Sequence, residues 1–433
     1  MSKARLFARE VASGRKRVTR SSSGAAQSRT CRRALAPMSS DYVSKPSKEL
    51  DLLILAPVPP PFGGIAVHVK RLVPLLQSAG LRVGVLNHFR STDDQFIVGA
   101  LNRNPLNYYR LPKRVPARVL HYHHARWSTL MAVAMAKRRT QARYVATIHS
   151  GGLQRQLASR NPVVRRVTIW ALRRFEAVIA VNSSIGSMLE EHVGRPVDVV
   201  PAFLAEEKVE SGYDSRTEAF FNFGRILVVP AYRIHFSKSN VDVYGLDSAT
   251  DAFIALAVEN PELKLALFIA MKPTRRRAKR YLSALEQRAA DAGLSDRLLV
   301  AFELPLSPAL RHNVIIVRPT RSEGDALSVR EGLSAGVPVI ATDVVERPSG
   351  TVTFRRDDIP GLCAAVLGVI HASAPRPQAT GGDSSAGDAG EFSRDLMRIY
   401  REQLSAAAEL RPPSVERGPR AAMDSTPSQD PDR

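Results

Sequence analysis

The stretch DLLILAP-VPPPFGG-IAVHVKRLVPLLQSAG-LRVGVLN, residues 51–87, most constrains the fold open to this chain. Leu52 to Ala56 is a short unbroken apolar run bounded by Asp51 and Pro57, the pattern of a parallel strand buried on both faces. A loop with two glycines follows. Ile65, Val69, Leu72 and Leu76 then recur at helical spacing up to a stop at Gly80, and LRVGVLN reads as the next strand. Strand, helix and strand in that order form a βαβ unit, the building block of a doubly wound parallel sheet.

The alternation runs on through RVLHYHH, a helix from Ser128 to Arg139, ARYVATIH, a basic helix around Val163 to Arg174, AVIAVN and VDVVPA. Together these predict one Rossmann-like domain over residues 49–205. Residues 206–222, charged and aperiodic, read as a linker. A second series follows: a strand at Arg225 to Val229, a helix at Asp247 to Val258 and a strand at Leu263 to Ala270. It continues with a helix at Thr274 to Ala292, strands at Leu298 to Phe302 and Val314 to Val317, a helix at Ala326 to Ala335 and the strand in PVIATD. The second α/β domain is thus expected at 223–370. A Ser-, Gly-, Ala- and Pro-rich spacer at 371–390, an amphipathic helix at 391–411 that could cross back to brace the first domain, and a disordered polar tail at 412–433 complete the reading.

A formal net charge of +21 invites a nucleic-acid reading until its distribution is considered. Residues 1–48 carry 12 Lys plus Arg against 2 Asp plus Glu, so nearly half of the net charge sits in one tail expected to be disordered. That tail lacks the apolar core of a secretory signal; it reads as transit-peptide-like or as an upstream extension with Met38 as the true start. No specific nucleic-acid partner is expected. Cys31 and Cys363 lie far apart, the first in this tail, which implies no disulfide framework and fits a cytoplasmic protein. The longest apolar runs, Thr129 to Ala136 and Leu263 to Met271, fall short of the roughly 18 to 20 residues a membrane span needs.

Four sequence features could carry chemistry. In PPPFGGIAVH, Gly63 and Gly64 lie between a strand end and a helix start, where backbone can approach a phosphate and the helix terminus offers N–H donors. A structural tight turn is the alternative, and neither GxGxxG nor a Walker loop is present. In RPTRSEGDALSVREGLSAGVPVIATD, Glu323 and Glu331 form an E-x7-E pair, one in a loop and one in the next helix, able to face a single cleft. Carboxylates accept paired hydrogen bonds from sugar hydroxyls, and backbone N–H groups around Leu327, Ser328 and Val329 could meet an anion. A solvated helix start is the plainer account of isolated glutamates.

This combination resembles the retaining nucleotide-sugar glycosyltransferases of family 4, over roughly Asp51 to Ile370. The E-x7-E, the small-residue helix and GVPVIATD are its most specific parts. The resemblance implies a GT-B fold, two Rossmann-like doubly wound domains facing a cleft, with the donor on the C-terminal one. It makes Arg233 and Lys238 in PAYRIHFSKSNVDVYG the counterparts of the family's basic pair, which offsets diphosphate charge on the leaving group. A surface basic loop is the alternative. Ala231-Tyr232 stands where a glycine usually precedes the arginine, a departure that puts the assignment in question. His149, ending ARYVATIH, corresponds to the family's active-site histidine, placed where donor sugar meets acceptor.

His121, His123 and His124 in HYHH could suggest a metal site, but no carboxylate or cysteine completes a ligand set, and packing or acceptor contact is the reading preferred. Asp93-Asp94 and Asp357-Asp358 are adjacent pairs that would diverge on a strand, and no nucleophile elbow or triad signature appears. Neither a metal nor another cofactor is expected, the partners being a nucleoside-diphosphate sugar and a glycan or lipid-linked acceptor. An anionic membrane surface is a further candidate partner, because RNPVVRRVTIWALRRF mixes Arg165, Arg166, Arg173 and Arg174 with Val164, Val167, Trp170 and Phe175. A helix packed on the sheet with its arginines outward explains that segment equally. The run Arg275 to Arg280 reads as a solvated face. The expected activity is metal-independent, retaining transfer of a hexose in bacterial surface-polysaccharide synthesis, at the inner face of the plasma membrane or free in the cytoplasm. Competing readings are a non-catalytic sugar-nucleotide binder, a basic nucleic-acid-binding protein and a nucleotide-sugar epimerase of the same fold.

Overall fold

The computed structural model describes residues 49–89, 95–102, 104–123, 126–149, 152–202, 212–372 and 383–410. The basic N-terminal tail with Cys31, the pair Asp93-Asp94, His124 and the tail 412–433 lie outside the described residues.

The N-terminal half is built from β1 (Leu50–Ala56), α1 (Gly64–Ser78), β2 (Val83–Asn87), β3 (Ile97–Ala100), α2 (Pro105–Arg114), β4 (Ala117–His123) and α3 (Trp127–Ala136). It continues with β5 (Arg143–Ile148), α4 (Gly152–Leu157), α5 (Pro162–Leu172), β6 (Ala177–Ala180), α6 (Ser183–Val193) and β7 (Asp198–Val199). The sheet is parallel in the order β3-β2-β1-β4-β5-β6-β7. Leu52 to Leu55 of β1 are fully buried because helices cover both faces. Strand order reverses between β2 and β4 around β1, which opens a crevice at the carboxyl ends of these strands.

The C-terminal half repeats the plan with α7 (Ser215–Phe221), β8 (Arg225–Ala231), α8 (Leu246–Ala257), β9 (Leu263–Ile269), α9 (Arg276–Asp291) and β10 (Leu298–Phe302). After these come β11 (Val314–Arg318), α10 (Leu327–Ser334), β12 (Val339–Thr342), β13 (Thr351–Phe354), α11 (Ile359–His371) and α12 (Asp383–Glu409). Its parallel sheet runs β10-β9-β8-β11-β12-β13, so β8 marks the second reversal as β1 marks the first. Two sheets of this order are the doubly wound architecture anticipated from the alternation.

Several boundaries differ from the expectation, each for a local reason. The stretch expected as an aperiodic linker contains α7, because Asp214 caps it through Arg216 N and Thr217 N and Phe221 is buried. Residues 206–211 of that linker are outside the described set. The last helix begins at Asp383, inside the segment expected as a spacer. Strands β3 and β13 and helix α2 were not anticipated; β3 and β13 are sheet edges of four residues each, too short for a clear period.

Helix α12 closes the architecture by returning to the first half. Leu396, Ile399, Tyr400 and Leu404 recur at helical spacing and join the core formed by β1, β2 and α1. Arg118 donates to Leu404 O (2.9 Å), Arg143 to Gln403 Oε1 (2.7 Å), and Arg398 pairs with Asp198 (3.0 Å). The chain's final helix therefore belongs to the sheet of its opening strands, and its Tyr400 lies beneath β4.

Candidate active site

The loops at the carboxyl ends of β1, β4, β5, β8 and β11, with the start of α10, carry the sequence candidates. After β1, the buried Asn87 side chain accepts from Val58 N and Phe89 N (3.2 Å each), fixing the loop that leads to Gly63, the N-cap of α1. A Cβ at Gly63 would stand 2.6 Å from Tyr232 Cε2, and one at Gly64 would stand 4.0 Å from Leu327 Cβ. The glycine pair thus lets the first half approach the β8 loop and the start of α10. Tyr232, the residue that departs from the family's glycine, is the one lying over Gly63.

Glu323 and Glu331 both sit in this region, and arginines hold both. Glu323 follows β11 with its side chain 6% exposed. It accepts from Arg318 Nη2, from Arg347 Nη1 (2.6 Å) and from Thr320 Oγ1 (3.2 Å). Burial works against its charge, but Arg318 and Arg347 outweigh burial and keep the carboxyl below its usual range. Glu331, one turn into α10, accepts from Arg71 Nη2 of α1 at 2.5 Å, a contact between the two halves. Both side chains of that pair are about a tenth exposed. In this structure cations engage acceptor atoms of both carboxylates.

The start of α10 differs from the expectation in one further respect. Val329 N donates to Ala326 O (3.0 Å), so that N–H is spent inside the helix and is no anion donor; the Val329 side chain belongs to the core of the second half. Leu327 packs against Val67 of α1 and Phe392 of α12, and Ser328 is buried beside it. Asp325 accepts twice from Arg330 Nε (3.1 and 2.9 Å), whose guanidinium lies over the Phe392 ring.

Arg233 and Lys238 lie on the β8–α8 loop, which folds into a small hairpin closed by Ser237 N to Val241 O (2.8 Å) and Val243 N to His235 O (2.7 Å). Both are exposed, and among the described residues no ion pair holds either. Arg277 of the basic run braces this hairpin by stacking on Phe236 (3.8 Å to the ring centre). Tyr244, at the loop's end, is pushed up to about 12 by burial, against the pull of Arg318 and Arg233 and with the push of Glu323. Those influences place Arg233 and Glu323 in one electrostatic neighbourhood. Arg321 is spent on structure, bonding Asp242 O (2.6 Å), Asp247 (2.8 Å) and Asp357 (2.5 Å). Asp358 caps α11 through Gly361 N (2.9 Å), so the adjacent aspartates serve two separate structural roles.

Across from this region stands a set of histidines. His149 directly follows β5, His121 and His123 share one face of β4, and His68 comes from α1. His123 Nδ1 meets His149 Nε2 at 3.0 Å, His123 Nε2 meets His121 Nδ1 at 3.1 Å, and His68 Nδ1 donates to Ala202 O at 2.9 Å. Burial lowers His68 to about 4 and His121 to about 3, and drives His123 well below the ordinary histidine value, so these rings are neutral near pH 7. Ring nitrogens of His68, His123 and His149 lie within 4.8 Å of one another, as metal ligands would. The 3.0 Å contact inside that trio is also a hydrogen-bond length.

Residue-type patterns missed Arg71, Arg318, Arg347 and His68. Two of these left a trace in the sequence. Arg318 sits in an otherwise apolar strand, and His68 falls on the buried stripe of α1. Arg71 and Arg347 carry no such mark, since their partners are distant in sequence.

Comparison with known proteins agrees with this geometry. The sequence model of Glycosyltransferase Family 4 matches residues 62–207. The lipopolysaccharide core biosynthesis mannosyltransferase LpsB of Rhizobium meliloti is 27% identical over 289 residues, spanning 65% of this chain and 74% of the relative. LpcC of Rhizobium leguminosarum bv. viciae, with the same description, is 27% identical over 308 residues, 68% and 79% of the two chains. These similarities support a glycosyltransferase of family 4. Solved structures confirm the GT-B fold. Sucrose-phosphate synthase of Thermosynechococcus elongatus superposes with a TM-score of 0.64 at 16% identity, covering 82% of this chain and 99% of that one. Anabaena Alr3699/HepE in complex with UDP-glucose superposes with a TM-score of 0.57 at 14% identity, covering 84% and 100%.

The contact between Gly63 and Tyr232 yields a direct test of how the halves meet. Gly63→Ala places a methyl against the tyrosine ring and is expected to lower the thermal midpoint by a few degrees, a cost of about 1–2 kcal/mol. Tyr232→Ala in the same chain should restore most of the loss. Equal loss with and without Tyr232, read by calorimetry as a double-mutant cycle, would show that the two residues are not in contact.

Proposed function

We propose that this glycosyltransferase moves a hexose from a nucleoside diphosphate to a glycan or lipid-linked acceptor with retention of anomeric configuration, in the assembly of a bacterial surface polysaccharide. One observation carries the reading: at the carboxyl end of the second sheet, Arg233 and Lys238 stay exposed and unpaired among the described residues while neighbouring arginines are engaged. Two unengaged cations suit a diphosphate, whose charge grows as the sugar leaves. The relatives named as mannosyltransferases of lipopolysaccharide core synthesis support the hexose and the pathway, and the neighbour solved with UDP-glucose supports the donor class.

In this reading the donor lies across Arg233 and Lys238, with its sugar towards His149. An acceptor hydroxyl oxygen attacks the anomeric carbon on the face the phosphate leaves. The carbon–oxygen bond to the phosphate breaks, the new glycosidic bond forms, and the hydroxyl proton passes to the departing phosphate oxygen. His149 orients a sugar hydroxyl, and the two cations take up the developing charge, so the reaction is proposed to need no metal or other cofactor. The Arg71–Glu331 and Arg318–Glu323 contacts hold the E-x7-E segment in shape until donor hydroxyls compete for its carboxylates.

Arg233→Ala and Lys238→Ala should each lower kcat/KM for transfer by roughly 10² to 10³, with the product's anomeric configuration, read by NMR coupling constants, matching that of the donor. Unchanged rates in both variants, or an inverted product, would contradict this mechanism. A non-catalytic sugar-nucleotide binder is favoured by a single observation, the Tyr232 ring lying over Gly63, and any multiple turnover in the wild-type assay excludes it.

Peripheral membrane contact belongs to the same proposal. Among the described residues no helix is long and apolar enough to cross a membrane. Helix α5 leaves Val163 62% and Trp170 38% exposed, next to exposed Arg165, Arg166 and Arg173. An apolar and basic stripe of this kind suits an anionic lipid surface. Sedimentation with vesicles containing anionic phospholipid should retain the wild type and lose Arg166→Glu/Trp170→Ala by about tenfold, each cationic contact being worth about 1 kcal/mol. Equal retention by purely zwitterionic vesicles would remove the electrostatic part of the claim.

A further inference from the structure

A hydrogen-bonded line runs from the last helix of the chain to the candidate active-site histidine. Tyr400 OH lies 2.6 Å from His121 Nδ1, and His121 Nε2 lies 2.7 Å from Thr147 Oγ1. His121 Nδ1 also faces His123 Nε2 at 3.1 Å, and His123 Nδ1 faces His149 Nε2 at 3.0 Å. Tyr400, His121 and His123 are fully buried and Thr147 is 4% exposed, so the contacts among these four are shielded from water.

The sheet creates this line by register. His121 pairs with Val145 and His123 with Thr147 across β4 and β5, and alternation puts both imidazoles on the face that α12 covers. Tyr122, between them, turns to the opposite face and meets Thr129 Oγ1 (2.6 Å). His68 stands beside the line and outside it, since its Nδ1 proton goes to Ala202 O.

A neutral imidazole has one N–H and one lone pair, and burial keeps His121 and His123 neutral. Where two ring nitrogens meet, one must donate and the other accept, so the tautomer of each ring dictates that of the next. Only two polarities satisfy the whole line. In the first, Tyr400 donates to His121 Nδ1, His121 Nε2–H donates to Thr147, His123 Nε2–H shares the His121 lone pair, and His149 Nε2–H donates to His123 Nδ1. In the second every proton is reversed, and His149 carries its proton on Nδ1. A phenol is a strong donor with a weakly basic oxygen, whereas an imidazole nitrogen is a good acceptor, which selects the first.

We propose that Tyr400 is a positioning residue for His149: by giving its proton to His121 Nδ1 it fixes His149 as the Nε2–H tautomer, with Nδ1 as the basic nitrogen. The inference rests on the reading of His149 as an active-site residue only for its catalytic consequence; the tautomer assignment stands on the contacts alone. The final helix then does more than cover the first sheet. Any aromatic residue at position 400 would fill the space, but only one with a hydroxyl sets the polarity.

The test uses the full chain with histidine labelled in 15N and 13C, and reads tautomers from the long-range 1H–15N correlation pattern of each imidazole ring by NMR, with His149 assigned through His149→Asn. Wild-type His149 should be in the Nε2–H form. Tyr400→Phe, which keeps the buried ring, should shift population to the Nδ1–H form and lower kcat roughly tenfold with the donor KM unchanged, the size of one lost hydrogen bond to a reacting group. A wild-type Nδ1–H signal overturns the proposal, as does a His149 tautomer that Tyr400→Phe leaves in place. A protein that shows the expected tautomer change but transfers no sugar would instead refute the proposed function and leave the positioning line standing.

Discussion

The close approach of the two halves is the constraint from which the site follows. Arg71 of α1 and Glu331 of α10 meet at 2.5 Å, and Gly63 and Gly64 present bare backbone to Tyr232 and Leu327. A side chain at position 63 would collide with the tyrosine ring, so the paired glycines are needed for contact between the halves whatever else they touch. An ion pair this buried is costly to leave half-made, and loss of either partner would strand a charge. The two sheets, each reversing its strand order beside its first strand, thereby turn their carboxyl-end loops toward one region.

Charge is partitioned sharply within that region. Arg318 and Arg347 close around Glu323, Arg330 around Asp325, and Arg321 around Asp247 and Asp357. The pairs on Glu323 and Asp325 satisfy carboxylates that burial would otherwise penalise. Arg233 and Lys238 stand apart from them, exposed on a hairpin. The histidines opposite are kept neutral by burial, so that side of the region supplies hydrogen bonds without net charge.

Much of the architecture was legible because buried parallel strands leave continuous apolar runs and their helices leave a clear period. Leu52 to Ala56 and Val314 to Val317 were readable for this reason, while the edge strands β3 and β13 carry too few residues to show a pattern. The alternation of His121 and His123 puts both on one face of β4. Its significance was not legible, since Tyr400 lies 279 positions away and joins them only after α12 crosses back. The same separation hid Arg71, 260 positions from Glu331, so the E-x7-E spacing gave no sign that cations hold its carboxylates. Local sequence records which groups are placed at a strand end; the folded chain decides which of them are already occupied.

The central claim, that the second half holds a nucleoside-diphosphate sugar, is tested most directly by calorimetric titration of the full chain with a panel of such donors and the corresponding free nucleoside diphosphates. The account predicts saturable binding of one donor family with a stoichiometry near one, shared by its nucleoside diphosphate because the cations grip the diphosphate. Failure of every donor and every diphosphate to bind the folded protein would contradict it.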